Sequence, residues 1–276
     1  MSKPRLAALF AVFLVVIAAL AVAGCGGSDD SSSTGSGSSA GGKKLTVGSD
    51  VPYPPFEEFG ASKTEFKGFD IELMEAAARD AGYEVEFQDT SFDTIFVDLA
   101  QGKFDAVASA STITEEREET VNFTEPYYQA EQAILVKEGS GIDSVGALKG
   151  TTVGAQKGTT GAEYVEESAE AGELRVYPQG PDAVNALKSG VVEAVVIDIP
   201  VAENAVENTS GIETSAAIPT EEEYGFAVAK DNEELLEELN EGLAKAKEDG
   251  TYTKIYEKWF ERPPPKEILT VSGGGE

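Results

Sequence analysis

Thr46-Val47-Gly48-Ser49-Asp50 recurs as Thr152-Val153-Gly154-Ala155-Gln156, and Leu99-Ala100-Gln101-Gly102-Lys103-Phe104-Asp105-Ala106-Val107 recurs as Leu187-Lys188-Ser189-Gly190-Val191-Val192-Glu193-Ala194-Val195. The first motif is a β-prone run that ends in a polar residue. The second reads as the end of an amphipathic helix, a glycine stop and a buried strand. The chain therefore holds two related α/β halves. Halves of this kind, each with polar residues just beyond its strands, make a two-lobed body with a cleft between the lobes. A cleft between mobile lobes is suited to capturing something small.

Around these repeats the pattern is regular. Residues 44–49 predict a strand, which Pro52, Pro54 and Pro55 turn into a loop carrying Asp50, Tyr53 and Phe56. A helix begins near Phe69, buries Phe69, Leu73, Ala76 and Ala77, and stops at Gly82. Residues 83–87 read as a strand, 92–101 as a helix and 104–108 as a strand buried on both faces. After an extended run over 124–136, the second unit predicts strands at 150–154, 174–177 and 191–197, with helices from about Ala162 and over 182–189. An extended run at 224–229 and two amphipathic helices, 233–248 and 252–260, close the folded part. Alternating strands and helices imply α/β architecture with a mostly parallel sheet in each lobe. The first lobe is expected to comprise 43–127 and 224–262, and the second 131–220. Crossover strands near 127–131 and 220–224 would form the hinge, and 263–276 would be a disordered tail.

The N-terminal region has a different character. Lys3 and Arg5 precede an apolar run to Ala23, as in a secretory signal over 1–24. Its end, Val22-Ala23-Gly24-Cys25, resembles the lipobox of bacterial lipoproteins, which implies a lipidated Cys25; an uncleaved membrane span is the alternative. Residues 25–42 are then a Gly/Ser tether, whose ends lie about 20–25 Å apart by random-coil scaling. This places the body on the outer face of the cytoplasmic membrane, held there through the anchor only.

Cys25 is the one cysteine, and the chain has no histidine. Thiol and Ser-His-Asp catalysis and the commonest zinc and copper ligand sets are thereby excluded. No cofactor or metal is expected. A net charge of −29 repels nucleic acid and anionic lipid, so neither is a partner of the folded body.

In parallel α/β sheets ligands lie beyond the carboxyl ends of the strands. The residues there are Asp50, Ser109 to Thr112 and Arg117 from one half, and Gln156, the loop 157–161 and Asp198 from the other. A free amino acid needs a planar fork for its carboxylate and an acceptor for its ammonium, and Arg117 and Asp198 supply these from separate lobes. Plainer roles compete: surface ion pairs with neighbouring glutamates for Arg117, a turn or N-cap for Asp198, core packing for Tyr53 and Phe92. Lys157-Gly158-Thr159-Thr160-Gly161 lacks the spacing of a phosphate loop.

Gly68-Phe69-Asp70-Ile71-Glu72-Leu73 resembles the signature of family 3 extracellular solute-binding proteins, the polar amino-acid receptors of ABC importers. Thr112-Ile113-Thr114-Glu115-Glu116-Arg117, Asn122-Phe123-Thr124-Glu125-Pro126-Tyr127-Tyr128, Gly158-Thr159-Thr160-Gly161 and 250–260 are similar to that family too, in its order. The resemblance implies a type II periplasmic-binding-protein-like fold and a non-enzymatic, monomeric receptor that delivers a free amino acid to the transmembrane subunits of a permease. By that likeness Arg117 takes the α-carboxylate, with Thr112 and Thr160 amide or hydroxyl donors. Asp198 takes the ammonium, near Ser109 or Ala110 carbonyls. Asp50, Tyr53, Phe92 and Gln156 surround the side chain, which favours arginine or lysine, then glutamine. The alternative is a secreted enzyme resembling cyclohexadienyl or arogenate dehydratases, on the same fold.

Overall fold

The computed structural model describes residues 42–270. The expected signal, Cys25 and all but the last residue of the tether lie outside the described residues. The first part of the chain forms β1 (Lys43–Ser49), β2 (Glu58–Phe59), β3 (Phe66–Lys67), α1 (Phe69–Asp80), β4 (Tyr83–Asp89), α2 (Ile95–Ala100), β5 (Ala106–Val107), α3 (Glu115–Glu118), β6 (Val121–Phe123) and β7 (Tyr128–Lys137). There follow β8 (Thr152–Gln156), α4 (Thr160–Glu167), β9 (Glu173–Tyr177), α5 (Gly180–Ser189), β10 (Ala194–Asp198), α6 (Ile199–Asn208), β11 (Ile212–Tyr224) and β12 (Ala227–Ala229). Three helices come last: α7 (Glu233–Glu248), α8 (Thr251–Phe260) and α9 (Lys266–Leu269).

Two five-stranded sheets result, ordered β4-β1-β5-β12-β6 and β9-β8-β10-β7-β11. With each half's own strands counted 1 to 4, both orders read 2-1-3-n-4, where n is a strand that reaches the sheet from across the junction between the halves. In each sheet four strands point one way and n runs against them. The duplication read from sequence is therefore a duplication of topology.

The repeated residues occupy equivalent positions. Gly102 and Gly190 end their helices with φ of 72° and 76°, a conformation that glycine adopts without a Cβ penalty. The acid three residues later ties the next strand to the first one. Asp105 Oδ2 accepts from Thr46 N at 2.8 Å, and Glu193 Oε2 accepts from Thr152 N at 2.9 Å. Gly48, central in the first motif, is held to glycine by packing: a Cβ there would lie 2.7 Å from the Phe104 ring.

The core of the first sheet is closed by α1, α7 and α8. Phe69, fully buried at the start of α1, has six aromatic rings within 6.2 Å, from Phe56, Tyr127, Tyr128, Tyr252, Tyr256 and Phe260. Burying a side chain of this size contributes about 2–3 kcal/mol. Gly242 lets α7 approach α1 so closely that a Cβ would sit 2.0 Å from Ala77 O. The apolar faces of these helices are those expected from their periodicity, and α7 has the predicted limits.

Several boundaries differ from expectation. The helix predicted over 92–101 opens with a 3-10 turn at Phe92–Thr94, and the strand predicted over 104–108 shortens to Ala106–Val107. α6 and most of the 13-residue β11 were not anticipated. Pro200 occupies the first turn of α6, where its missing N–H is harmless. In β11 polar residues outnumber apolar ones, because it is an edge strand paired on one side to β7. The tail expected to be disordered includes α9, whose Ile268 is buried against the core with Leu269 packed beside it.

Candidate functional site

A cavity lies between the carboxyl ends of the two sheets. Every residue singled out from sequence lines it: Asp50, Tyr53 and Phe92, the turn residues Ser109, Ala110 and Thr112, then Arg117, and from the second half Gln156, Thr160 and Asp198. Asp50 follows β1, Gln156 ends β8 and Asp198 ends β10, so the strand-end rule located them. The last residues of the repeated pentapeptide meet, Gln156 Nε2 donating to Asp50 Oδ2 at 2.5 Å.

Other bonds join the same two walls. Tyr53 OH donates to Asp198 Oδ2 at 2.6 Å, Gln179 Nε2 to Val51 O at 2.8 Å, and Arg117 Nη2 to Gly158 O at 3.1 Å. Lys157 pairs with Asp93 at 2.8 Å. This is a closed arrangement.

Arg117 is set by α3. Thr114 caps that helix by accepting from Arg117 N at 3.2 Å, and the guanidinium turns back so that Nη1 donates to Thr112 O at 2.7 Å. Its carbon lies 5.2 Å from the Phe92 ring centre and 4.9 Å from that of Phe96. None of the ion pairs among the described residues involves it, so the surface ion-pair role does not apply. Burial pushes its pKa down, opposed by the charges of Glu222 and Asp198; a guanidinium stays protonated regardless.

Asp198 stands before α6 but makes no capping bond with its side chain, which instead accepts from Tyr53 and from Gln132 Nε2. Burial raises its pKa to about 6, with Glu222 adding to the rise and its hydrogen bonds opposing it. Burial likewise raises Asp50 to about 7, against the Gln156 bond. Tyr53 and Phe92 are 8% and 7% exposed, so each packs in the core as well as lining the cavity.

Of the amide or hydroxyl donors expected from Thr112 and Thr160, the hydroxyls are engaged: both donate to Glu222 Oε2, at 2.6 and 2.8 Å. Glu222 had no signal in sequence. It reaches inward because the register of β11 slips between Ile218 and Glu222, with Glu221 at φ 51°. Glu57, which was not singled out, and Thr159, from the loop 157–161, also line the cavity. Glu57 Oε1 accepts from Ser109 Oγ at 2.8 Å, and Ser109 Oγ accepts from Asp50 N at 2.9 Å.

A duplicated α/β body whose one cleft carries a guanidinium on one wall and a carboxyl on the other defines a small-molecule binding protein. Residues 45–262 match the bacterial extracellular solute-binding proteins, family 3, and the chain belongs to that family. It is 34% identical over 229 residues, 81% of this chain and 93% of the relative, to ABC transporter arginine-binding protein 1 of Escherichia coli strain K12. Among solved structures, it is 41% identical to an ancestral arginine-binding protein, solved with arginine and with glutamine, at a TM-score of 0.75 over 79% of this chain and 98% of that one. It is 38% identical to an ancestral amino-acid-binding protein that is a precursor of cyclohexadienyl dehydratase, at a TM-score of 0.71 over 79% and 95%.

Proposed function

We propose that this protein is a non-enzymatic, extracytoplasmic receptor of an ABC importer that closes on a free basic amino acid, arginine or lysine before glutamine, and delivers it to the permease. The observation that carries this reading is the guanidinium of Arg117, which makes no ion pair among the described residues, lining the same cavity as Asp50 and Asp198. In this reading Arg117 takes the α-carboxylate and Asp198 the α-ammonium. Backbone N–H groups of Thr112 and Thr160 assist, since their hydroxyls serve Glu222. Asp50 and Gln156, beside Phe92 and Tyr53, receive the cationic side chain through an ion pair and ring faces. The relatives that bind arginine support it.

Three or four charge-assisted bonds of about 1.5–3 kcal/mol each suffice for micromolar affinity after ordering costs. Because the charges sit on different walls, ligand binding and closure are one equilibrium, hinged where β7 pairs with β11 at Ala130–Glu222, Gln129–Glu223 and Tyr128–Tyr224. The lobes would be 43–127 with 224–262, and 131–220. The body would act as a monomer tethered through lipidated Cys25. Calorimetry against the twenty amino acids tests the reading: arginine and lysine should bind most tightly, and tight glutamate binding with no response to arginine would overturn it.

A dehydratase on the same body is the second reading, favoured by the likeness to the dehydratase precursor and by carboxyls that hold protons near neutral pH, Asp50 and Asp198. Turnover of prephenate or arogenate by the purified protein decides for it.

A further inference from the structure

Glu222 is a buried acid whose hydrogen-bond partners are all neutral. It is 7% exposed, between the exposed Glu221 and Glu223, and no lysine or arginine pairs with it among the described residues. It accepts three hydrogen bonds instead. Oε2 takes the hydroxyls of Thr112 and Thr160, and Oε1 takes Gln132 Nε2 at 3.0 Å. The three donors come from different parts of the fold. Thr112 follows β5 of the first sheet, Thr160 opens α4 in the second half, and Gln132 lies on β7, where that strand pairs with β11.

The backbone is bent to deliver this carboxyl. Between the pairs Ile218–Gln132 and Glu222–Ala130, β11 advances four residues while β7 advances two. The extra length is fastened by Gln132 N, which donates to Thr220 Oγ1 at 3.3 Å, and Glu221 takes its left-handed φ of 51° there. A buried acid without a cation and a left-handed glutamate both cost stability, and departures of this kind collect where function requires them.

We propose that Glu222 is a positioning residue for the cleft, a bracket at the junction that holds the two walls together and aims Asp198. Its Oε2 is shared by hydroxyls from opposite walls, so it keeps both only while the walls are close. Such bonds are lost beyond about 3.5 Å, and parting the walls by about 1 Å breaks one of them. Only protein groups make the bracket, which therefore favours closure of the ligand-free chain. The other oxygen acts on the seat of the ligand. Gln132 Nε2 donates to both Glu222 Oε1 and Asp198 Oδ1, whereas Gln132 Oε1 has no partner. Glu222 thus fixes which end of the amide meets Asp198. Gly161 permits the fit, since a Cβ there would lie 2.8 Å from Gln132 Oε1.

The inference rests on the receptor reading, but its first readout needs no ligand. In small-angle X-ray scattering of the full chain without amino acid, E222A should show a larger radius of gyration than wild type, and saturating arginine should bring the two together. E222A should also bind arginine at least tenfold more weakly, because its closed form is rarer. E222Q separates the two arms: its amide oxygen still accepts from both threonines, while its NH2 group faces that of Gln132. Its ligand-free radius should match wild type, and its arginine affinity should fall at least threefold. Should E222A fail to fold, T160V, which removes one arm, should enlarge the ligand-free protein in the same direction. A purely structural Glu222 would lower the urea midpoint of E222A and leave the ligand-free radius of E222A, or of T160V in its place, at the wild-type value; that result overturns the bracket. Equal expansion of E222Q and E222A overturns the division into two arms. If E222A expands but arginine neither binds nor compacts the wild type, the bracket stands and the receptor reading falls.

Discussion

Replacing Arg117 by alanine separates the ligand-binding role of this side chain from its structural one. Backbone carbonyls of Thr112 and Gly158 engage two of its five N–H donors, which leaves a face of the fork for a carboxylate. Two such bonds contribute about 1.5–3 kcal/mol each, so Arg117→Ala should weaken arginine binding by about 3–6 kcal/mol, roughly a hundred- to ten-thousand-fold. The ring contacts with Phe92 and Phe96 add about 1 kcal/mol to the folded state, so the melting temperature should fall by only a few degrees. Arg117→Lys keeps the charge without the planar fork and should still lose tenfold or more. The assay is titration calorimetry, with thermal melting to confirm folding. Arginine affinity within threefold of wild type in a folded Arg117→Ala protein would refute the assignment.

Asp50→Asn should narrow the preference for arginine over glutamine by tenfold or more in competition binding, since it removes the acceptor expected to meet the guanidinium. Arginine affinity should rise from pH 5 to pH 8, because the ligand stabilises the ionised forms of Asp198 and Asp50, whose pKa values are about 6 and about 7; calorimetry in buffers of different ionisation enthalpy will show the proton release. Stability without ligand has the opposite sign. Asp50 is raised from 3.8 to about 7 on folding, so its contribution is complete below pH 3.8 and is lost as pH rises through 7, which melting curves over that window will register. Gly242→Ala forces α7 off Ala77 O and should cost about 2 kcal/mol or more by urea unfolding, while leaving relative ligand preferences unchanged.

The parts of the fold visible in sequence were those with local causes. The paired glycines Gly102 and Gly190 and the pentapeptides marked helix stops and first strands, and strand ends in turn marked Asp50, Gln156 and Asp198. Arg117, Thr112 and Thr160 were placed beyond the strand ends too, and fell around the same cavity. What escaped depends on long-range partners. β11 reads as polar because it lies at an edge. Glu222 turns inward only through a register slip against β7, and Glu57 looks like a surface residue beside Glu58 until the start of α1 covers it.

The strand marked n in each sheet has a consequence for how the molecule matures. β12 threads between β5 and β6, so the first sheet lacks an inner member until chain from beyond the second sheet arrives, whereas β7, between β10 and β11, precedes every other strand of its sheet. During synthesis the N-terminal portion leaves the ribosome with a slot in its sheet that closes only after more than a hundred further residues have followed. Expressed alone, residues 43–127 would present two unsatisfied inner edges to their neighbours in solution, so cutting the gene at the junction should yield an aggregating N-terminal half.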